Sequence, residues 1–209
     1  MLYVFGFDRV GVVVGDLYFV DPRPGKGQEG PEHGVRLELR VLAPGELKGS
    51  IYSAQPIEVG APIWRVDLLE SVAGEPGSFD RTHHHPAFTG WNPGRRVFAE
   101  ELSADPLGWV GGKLTDLDAL LDTAGFPAAT AGPDDARDLR DATPEIIDTT
   151  RRLLGRVRAG ELGNPPPGEA PADGANPGGP EPGGANPDGV EPDGGQLARR
   201  PALVRSGWL

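Results

Sequence analysis

Residues 35–41 read VRLELRV, a stretch in which apolar and polar side chains alternate strictly. Successive side chains of a strand point to opposite faces of its sheet, so this alternation predicts a β-strand with one face exposed to water. The segments IYSAQPIEV (51–59) and PIWRVDLLE (62–70) continue the pattern, and Gly60-Ala61 between them predicts a bend. The middle of the chain is therefore predicted to form a series of short strands.

The segment before this series also favours β-structure. In VVVGDLYFV (Val12–Val20), two β-favouring runs flank Gly15-Asp16, a pair that suits the two-residue turn of a hairpin. A Pro- and Gly-rich loop over residues 21–34 follows. Short strands with turn signals this close together are typical of a sandwich or a small barrel, so we expect a mainly β fold.

Two helices are predicted after the strands. Thr115 has the form of an N-cap, with Asp118 three residues later to reach back, and Gly125 can end the helix in a left-handed conformation. A second helix is predicted to open at Thr143-Pro144, because proline is favoured at the first helical position. Both helices follow the β-rich part of the chain.

These patterns divide the chain into a β-rich domain (1–126), a helical extension (134–160), a linker (161–195) and a C-terminal motif (196–209). Residues 163–195 contain 19 Gly or Pro among 33 positions, with six acidic residues and no basic one. A segment of this composition cannot bury enough apolar surface to offset its chain entropy. We therefore expect the acidic linker to be disordered.

The C-terminal motif, QLARRPALVRSGWL, returns to apolar and basic residues. A disordered spacer that ends in such a motif is typical of a tethered docking peptide, so a protein partner is expected here, in cis or in trans. The alternative is a frayed terminus, or a strand that folds back on its own acidic domain. The residues expected to contact a partner are Arg199, Arg200, Leu203, Val204, Trp208 and Leu209.

Composition excludes several classes of protein. The formal net charge of -11 argues against binding to nucleic-acid phosphates, which requires clustered basic residues. The chain has no cysteine, so disulfides and thiolate metal sites are excluded. No apolar run approaches the roughly 20 residues of a membrane span, and no secretory signal pattern opens the chain. We expect a cytoplasmic protein without membrane association.

Three of the four histidines, His83, His84 and His85, stand side by side. In a strand, His83 and His85 would point to one face and His84 to the other. Two imidazoles on one face can bind the same divalent transition-metal ion, which would need a third ligand from elsewhere. Candidates for the third ligand are His33, Glu32, Asp80 and Glu100, with His33 the one we name as a site residue.

The spacing of Gly77, His83 and His85 resembles the start of the first metal-binding motif of the cupin family, G-x5-H-x-H-x3,4-E-x6-G. The resemblance implies that both histidines are metal ligands inside a small β-barrel. The glutamate of that motif would fall at position 89 or 90, where this chain has Thr89 and Gly90. No histidine follows His85 to provide a second cupin motif.

A binding site without a metal is also possible from the residues that follow. Phe88, Trp91, Arg95 and Arg96 surround a turn signal, and aromatic faces beside arginines can bind a planar or anionic ligand. A nearby histidine could act there as an acid or base. Alternatively, the histidines are hydrogen-bonded to backbone and the aromatic residues only cover one end of the fold.

Two functions from different classes follow from these patterns. In one, a site around His83 and His85 binds a small molecule, with or without a metal, and the choice between catalysis and binding stays open. In the other, the protein is a non-enzymatic adaptor that binds protein partners through its domain and its C-terminal motif, with the linker setting their effective concentration.

Overall fold

A computed structural model describes residues 1–46, 49 and 56–166 of the chain. The C-terminal motif and the acidic linker from residue 167 onward lie outside the described residues, so the expectations for them stay predictions. The same holds for most of the segment 51–59.

The described chain is built on a five-stranded antiparallel sheet in which sequence neighbours pair in the order β1-β2-β3-β4-β5. The strands are β1 (Leu2–Gly6), β2 (Val10–Val20), β3 (Pro31–Pro44), β4 (Ile57–Ser71) and β5 (His83–His85). Two short strands, β6 (Phe88–Thr89) and β7 (Asn92–Pro93), form a separate hairpin. The sheet-rich character was expected. The described strands leave β1 and β5 as edges, however, and do not close into a barrel.

Strand β2 runs without interruption through Gly15-Asp16, so the predicted hairpin turn there is wrong. Gly15 pairs with Leu2 on one side and with Arg36 on the other, and Asp16 pairs with Val35. The long strand is stabilised by ladders on both sides, and these long-range partners override the local turn preference of the pair.

Strand β4 continues through Gly60-Ala61 as one strand, and neither residue has a partner in the β3–β4 register. The position of the predicted bend coincides with an irregularity in that pairing. The pairing register between β3 and β4 shifts on either side of Arg40, which is a β-bulge or a similar local disruption. The strand therefore continues as one element of 15 residues.

The two faces of the sheet differ in character. Cross-strand neighbours such as Val12, Leu39 and Trp64 point to one face, where the helices pack on them. The opposite face carries charged residues, for example Arg36 of β3 and Asp67 of β4, which are cross-strand neighbours. We call this second surface the polar face.

In the part of the chain that the structure describes, four α-helices cover the apolar face, where only two were predicted. They are α1 (Glu100–Ala104), α2 (Pro106–Leu114), α3 (Leu117–Ala124) and α4 (Asp135–Arg158), with a 3-10 turn at Ala128–Thr130. The predicted N-cap of α3 at Thr115 is wrong by one residue, since the Asp116 carboxylate accepts the Ala119 N–H at 3.1 Å. Gly125 ends α3 with φ of 75°, as predicted. Within the described residues, no helix combines the length and apolar character needed to cross a bilayer.

Helix α4 begins at Asp135, not at the predicted start Thr143-Pro144, and Pro144 lies inside it. The fully buried Asp135 carboxylate accepts N–H groups from Asp8 and Arg9 in the β1–β2 turn, which fixes this earlier start. The helix packs against β2, β3 and α2. It therefore belongs to the same compact unit as the sheet.

Candidate metal centre

The register of β4 and β5 brings the histidine segment beside an aspartate. His83 pairs with Asp67, and His85 pairs with Arg65. Asp67, His83 and His85 all point to the polar face, where they are 1%, 2% and 5% exposed. Strand alternation sends His84 to the apolar face, where its ring lies 5.0 Å from that of Trp109. The three adjacent histidines therefore belong to two different sites.

The three side chains on the polar face bring one potential ligand atom each to a common point. Asp67 Oδ2 lies 3.5 Å from His83 Nε2 and 3.7 Å from His85 Nε2, and the three ligand atoms all lie within 4.8 Å of one another. Two ligand atoms bound at about 2.1 Å to one tetrahedral ion stand about 3.4 Å apart. The observed separations therefore suit ligands of a single ion.

Backbone carbonyls orient both imidazole rings. The Nδ1 atom of His83 lies 2.8 Å from Arg81 O, and the Nδ1 atom of His85 lies 2.8 Å from Gly94 O. A carbonyl oxygen only accepts, so each Nδ1 carries a proton and each neutral ring presents the Nε2 lone pair towards Asp67. Metal-binding histidines are commonly oriented by this kind of hydrogen bond.

Burial keeps both rings neutral. It lowers the pKa of His83 and of His85 below the ordinary value, and this effect outweighs the hydrogen bonds to backbone and the attraction of Asp67, which act in the opposite direction. Positive charge on Arg96 lowers the pKa of His83 further, and Arg65 and Arg36 do the same for His85. A neutral imidazole is the form that binds metal ions.

Arg36 fixes the third side chain. Its Nε donates to Asp67 Oδ1 at 2.7 Å, and its Nη2 donates to Asp67 Oδ2 at 3.2 Å. This bidentate pair orients the carboxylate and compensates its charge in a buried position. Oδ2 therefore faces the imidazole nitrogens from a carboxylate that cannot rotate freely.

Sequence reasoning missed Asp67 as the third side chain. His33, the predicted third ligand, pairs with Glu70 and Tyr18 and points to the apolar face, away from the cluster. Asp80 accepts hydrogen bonds from Ser71 N and Ser78 Oγ, and Glu100 lies exposed in the first turn of α1. The available signal was the alternation in PIWRVDLLE, which predicts that Asp67 lies on the polar face of its strand.

Glu32, another predicted candidate, does lie on the polar face and is 1% exposed. Its Oε2 atom has no hydrogen-bond partner in the described part of the chain. Burial raises the pKa of Glu32, and positive charge on Arg96 and Arg81 opposes this effect. Glu32 does not belong to the group of ligand atoms around Asp67. It contributes a buried carboxyl group to the same face.

Three of the four residues predicted to bind a planar or anionic ligand contact residues of the polar face or its edge. Arg65 lies over the Phe88 ring at 5.0 Å, and Arg40 lies over the Trp91 ring at 5.2 Å. Arg96 donates to Asp21 Oδ2 at 3.1 Å, whereas Arg95 is exposed. The two aromatic rings therefore each pack on an arginine of the sheet.

The chain after β5 covers the histidines. Phe98 lies against His83 with ring centroids 5.4 Å apart, and Phe88 lies against His85 at 6.2 Å. The hydrogen bond to Gly94 O ties His85 to the end of the β6–β7 hairpin. These apolar rings keep water from the cluster and strengthen its electrostatic interactions.

No protein-family model, curated protein or solved structure matches the chain. The cupin resemblance therefore stays a prediction that rests on Gly77, His83 and His85. Gly77 has φ of 91°, and its N–H donates to Glu70 Oε2 at 2.9 Å, so here the glycine supports a turn beside β4. What the chain itself provides is a buried carboxylate and two neutral imidazoles on one face of an open sheet.

Proposed function

We propose that the protein binds one divalent transition-metal ion through Asp67, His83 and His85. The observation that carries the proposal is the convergence of three acceptor atoms in a buried position, one carboxylate oxygen and two Nε2 atoms. The distances of 3.5 and 3.7 Å between them are longer than a good hydrogen bond. Lone pairs held this close are stabilised best by a cation between them.

The ligand set favours particular ions and leaves a coordination position open. Two imidazoles and one carboxylate suit Zn²⁺, Fe²⁺ or Mn²⁺. Three protein ligands leave at least one coordination position for water or a small ligand, which is the arrangement of sites that do chemistry rather than of closed structural sites. We therefore propose a metal-assisted small-molecule site under the β6–β7 hairpin.

Metal titration of chelator-treated protein tests the proposal. We expect one equivalent of Zn²⁺ or Mn²⁺ per chain by calorimetry, with a rise in thermal stability because the ion binds only the folded state. His83→Gln and Asp67→Asn should each weaken binding at least about tenfold, since each removes one ligand. His33→Gln is the matched control, because His33 points to the opposite face.

Two results would contradict the metal site: no stoichiometric binding of any of the three ions, or equal losses in His33→Gln and His83→Gln. The open coordination position has its own test. Adding azide to Co²⁺-loaded protein should change the visible absorption bands, because azide takes that position. Unchanged bands would mean a closed site and would remove the small-molecule part of the proposal.

A further inference from the structure

A cleft lies on the apolar side of the sheet, on the opposite face of β4 and β5 from the metal ligands. It has a volume of about 390 Å³, between β4 and β5 on one side and α2 and α3 on the other. Trp64 and His84 come from the strands, and Trp109 comes from α2. Small-molecule sites commonly range from about 300 to 1,000 Å³, so this cleft suits a ligand of one or two rings.

Three aromatic rings form one wall of the cleft. Trp64 and Trp109 stack with centroids 6.1 Å apart, and the His84 ring lies 5.0 Å from Trp109 and 6.5 Å from Trp64. Trp64 is nearly fully buried, whereas Trp109 and His84 are partly exposed at the cleft. Flat, partly exposed rings provide a stacking surface for a planar ligand.

The polar groups of the cleft point to the charge of that ligand. Lys113 Nζ lies 5.1 Å from the centroid of the Trp109 ring. The one acid at the cleft, Asp116, already accepts the Ala119 N–H as the cap of α3. His84 Nδ1 is buried and has no hydrogen-bond partner in the described residues, so it lies within the wall and leaves Lys113 as the charged donor at the cleft.

We propose that this cleft binds a small planar aromatic molecule that carries a carboxylate or a similar acid. The ring of the ligand packs on the wall formed by Trp109 and His84, and the acid pairs with Lys113. This site is independent of the metal centre, since it uses the other face of β4 and β5.

The chain offers a matched pair of variants for testing this site. Gly112 of α2 lines the cleft, and a Cβ at this position would meet nothing within 4 Å. Gly155 of α4 is also an exposed helical glycine whose Cβ would meet nothing. Leucine at either position improves helix propensity, so both variants should fold. Only Gly112→Leu places a side chain in the cleft.

Three probes with related ring systems and different charges test the ligand class: indole-3-acetate, 3-methylindole and tryptamine. Binding is measured by saturation-transfer NMR and calorimetry. We expect indole-3-acetate to bind several-fold more tightly than tryptamine, and Gly112→Leu to weaken it by about tenfold or more. Gly155→Leu should bind as the unaltered protein does. Lys113→Gln should remove the preference for the acid and leave 3-methylindole unaffected.

The proposal fails if none of the three probes binds at millimolar concentration. It also fails if Gly112→Leu and Gly155→Leu bind indole-3-acetate equally, because the ligand is then elsewhere on the molecule. Tighter binding of tryptamine than of indole-3-acetate would overturn the assignment of an acidic ligand.

Discussion

His83, His84 and His85 differ in environment although they are neighbours in the chain. The rings of His83 and His85 each bond a backbone carbonyl and face Asp67, whereas His84 packs against two tryptophans on the other side of the sheet. The main chain of His84 pairs with Val97 in both directions. A three-residue strand therefore links a polar cluster to an aromatic cleft, and both depend on the same backbone.

The buried histidines predict that metal-free protein loses stability in mild acid. Burial lowers the pKa of all three rings, that of His84 to about 4. Between pH 6.5 and 4, His84 binds a proton in the unfolded chain but stays neutral in the folded protein. The unfolding free energy therefore falls as the pH falls. One such group contributes at most about 1.4 kcal/mol per pH unit. Urea unfolding at pH 7.5, 6 and 5 measures the slope.

Removing the ring nitrogens isolates the contribution of His84 to the pH dependence of the unfolding free energy. His84→Phe keeps an aromatic ring beside Trp64 and Trp109 but cannot take up a proton, so its slope between pH 6 and 5 should be shallower. Glu32, whose pKa is raised by burial, acts in the opposite direction in both proteins and cancels in the comparison. Identical slopes would mean that His84 titrates alike in the folded and unfolded chain.

The composition of the polar cluster could be predicted only in part. The alternation that separates His84 from its neighbours is a local property with a period of two residues, so the sequence contains it. The partner of His83 depends instead on the register of β4 and β5, which joins residues 16 positions apart through a loop. A shift of one residue would have placed Val66 beside His83, so the alternation in PIWRVDLLE gives the face of Asp67 but not its pairing with His83.

At the scale of whole elements, long strands form at two places where the local residue types predicted a turn or a bend. Gly15-Asp16 and Gly60-Ala61 have the residue types of turns, yet both lie inside long strands. Gly15 has a partner in each neighbouring strand, whereas Gly60-Ala61 lies where the β3–β4 register shifts. Gly125 behaved as its type predicts, because a helix end leaves carbonyls that the left-handed turn satisfies locally. Local signals were less reliable for helix starts, since Asp116 rather than Thr115 caps α3 and α4 begins well before Thr143-Pro144.

Pro144 is expected to weaken the helix that contains it. It lies exposed in the interior of α4, where it has no N–H to donate to the Arg140 carbonyl and its ring crowds the preceding turn. Pro144→Ala should therefore raise the unfolding free energy by about 1–3 kcal/mol. Urea unfolding measures the change, with Glu145→Ala as the neighbouring exposed control. A loss of stability in Pro144→Ala would mean that the packing of α4 on the sheet requires the proline.

At the scale of the whole molecule, buried carboxylates join the two ends of α4 to the sheet. At the C-terminal end, Arg158 pairs with the buried Glu70 of β4 and lies over the Phe79 ring. At the N-terminal end, Asp135 bonds the β1–β2 turn across more than 120 residues of sequence. The sequence explains Arg158 only by the favourable interaction of a cation with the C-terminal end of a helix. Its pairing with Glu70 depends on the fold, which brings the two residues together.

Asp135 is predicted to be the most sensitive of these attachments. Its fully buried carboxylate accepts the N–H groups of Asp8, Arg9 and Gly132 at 2.8, 3.1 and 2.7 Å. Asp135→Ala removes three charge-assisted hydrogen bonds and leaves backbone donors without a partner, so we expect a loss of at least about 3 kcal/mol in unfolding free energy.

Asp138→Ala provides the matched control for this loss. Asp138 is also an acid in the first turns of α4, but its carboxylate is exposed and pairs with Arg137 at 2.9 Å. Removing an exposed ion pair should cost less than about 1 kcal/mol. Urea unfolding of both variants at pH 7 makes the comparison. Equal and small losses would mean that apolar packing alone holds α4 on the sheet, because the buried hydrogen bonds would then contribute no more than a surface pair.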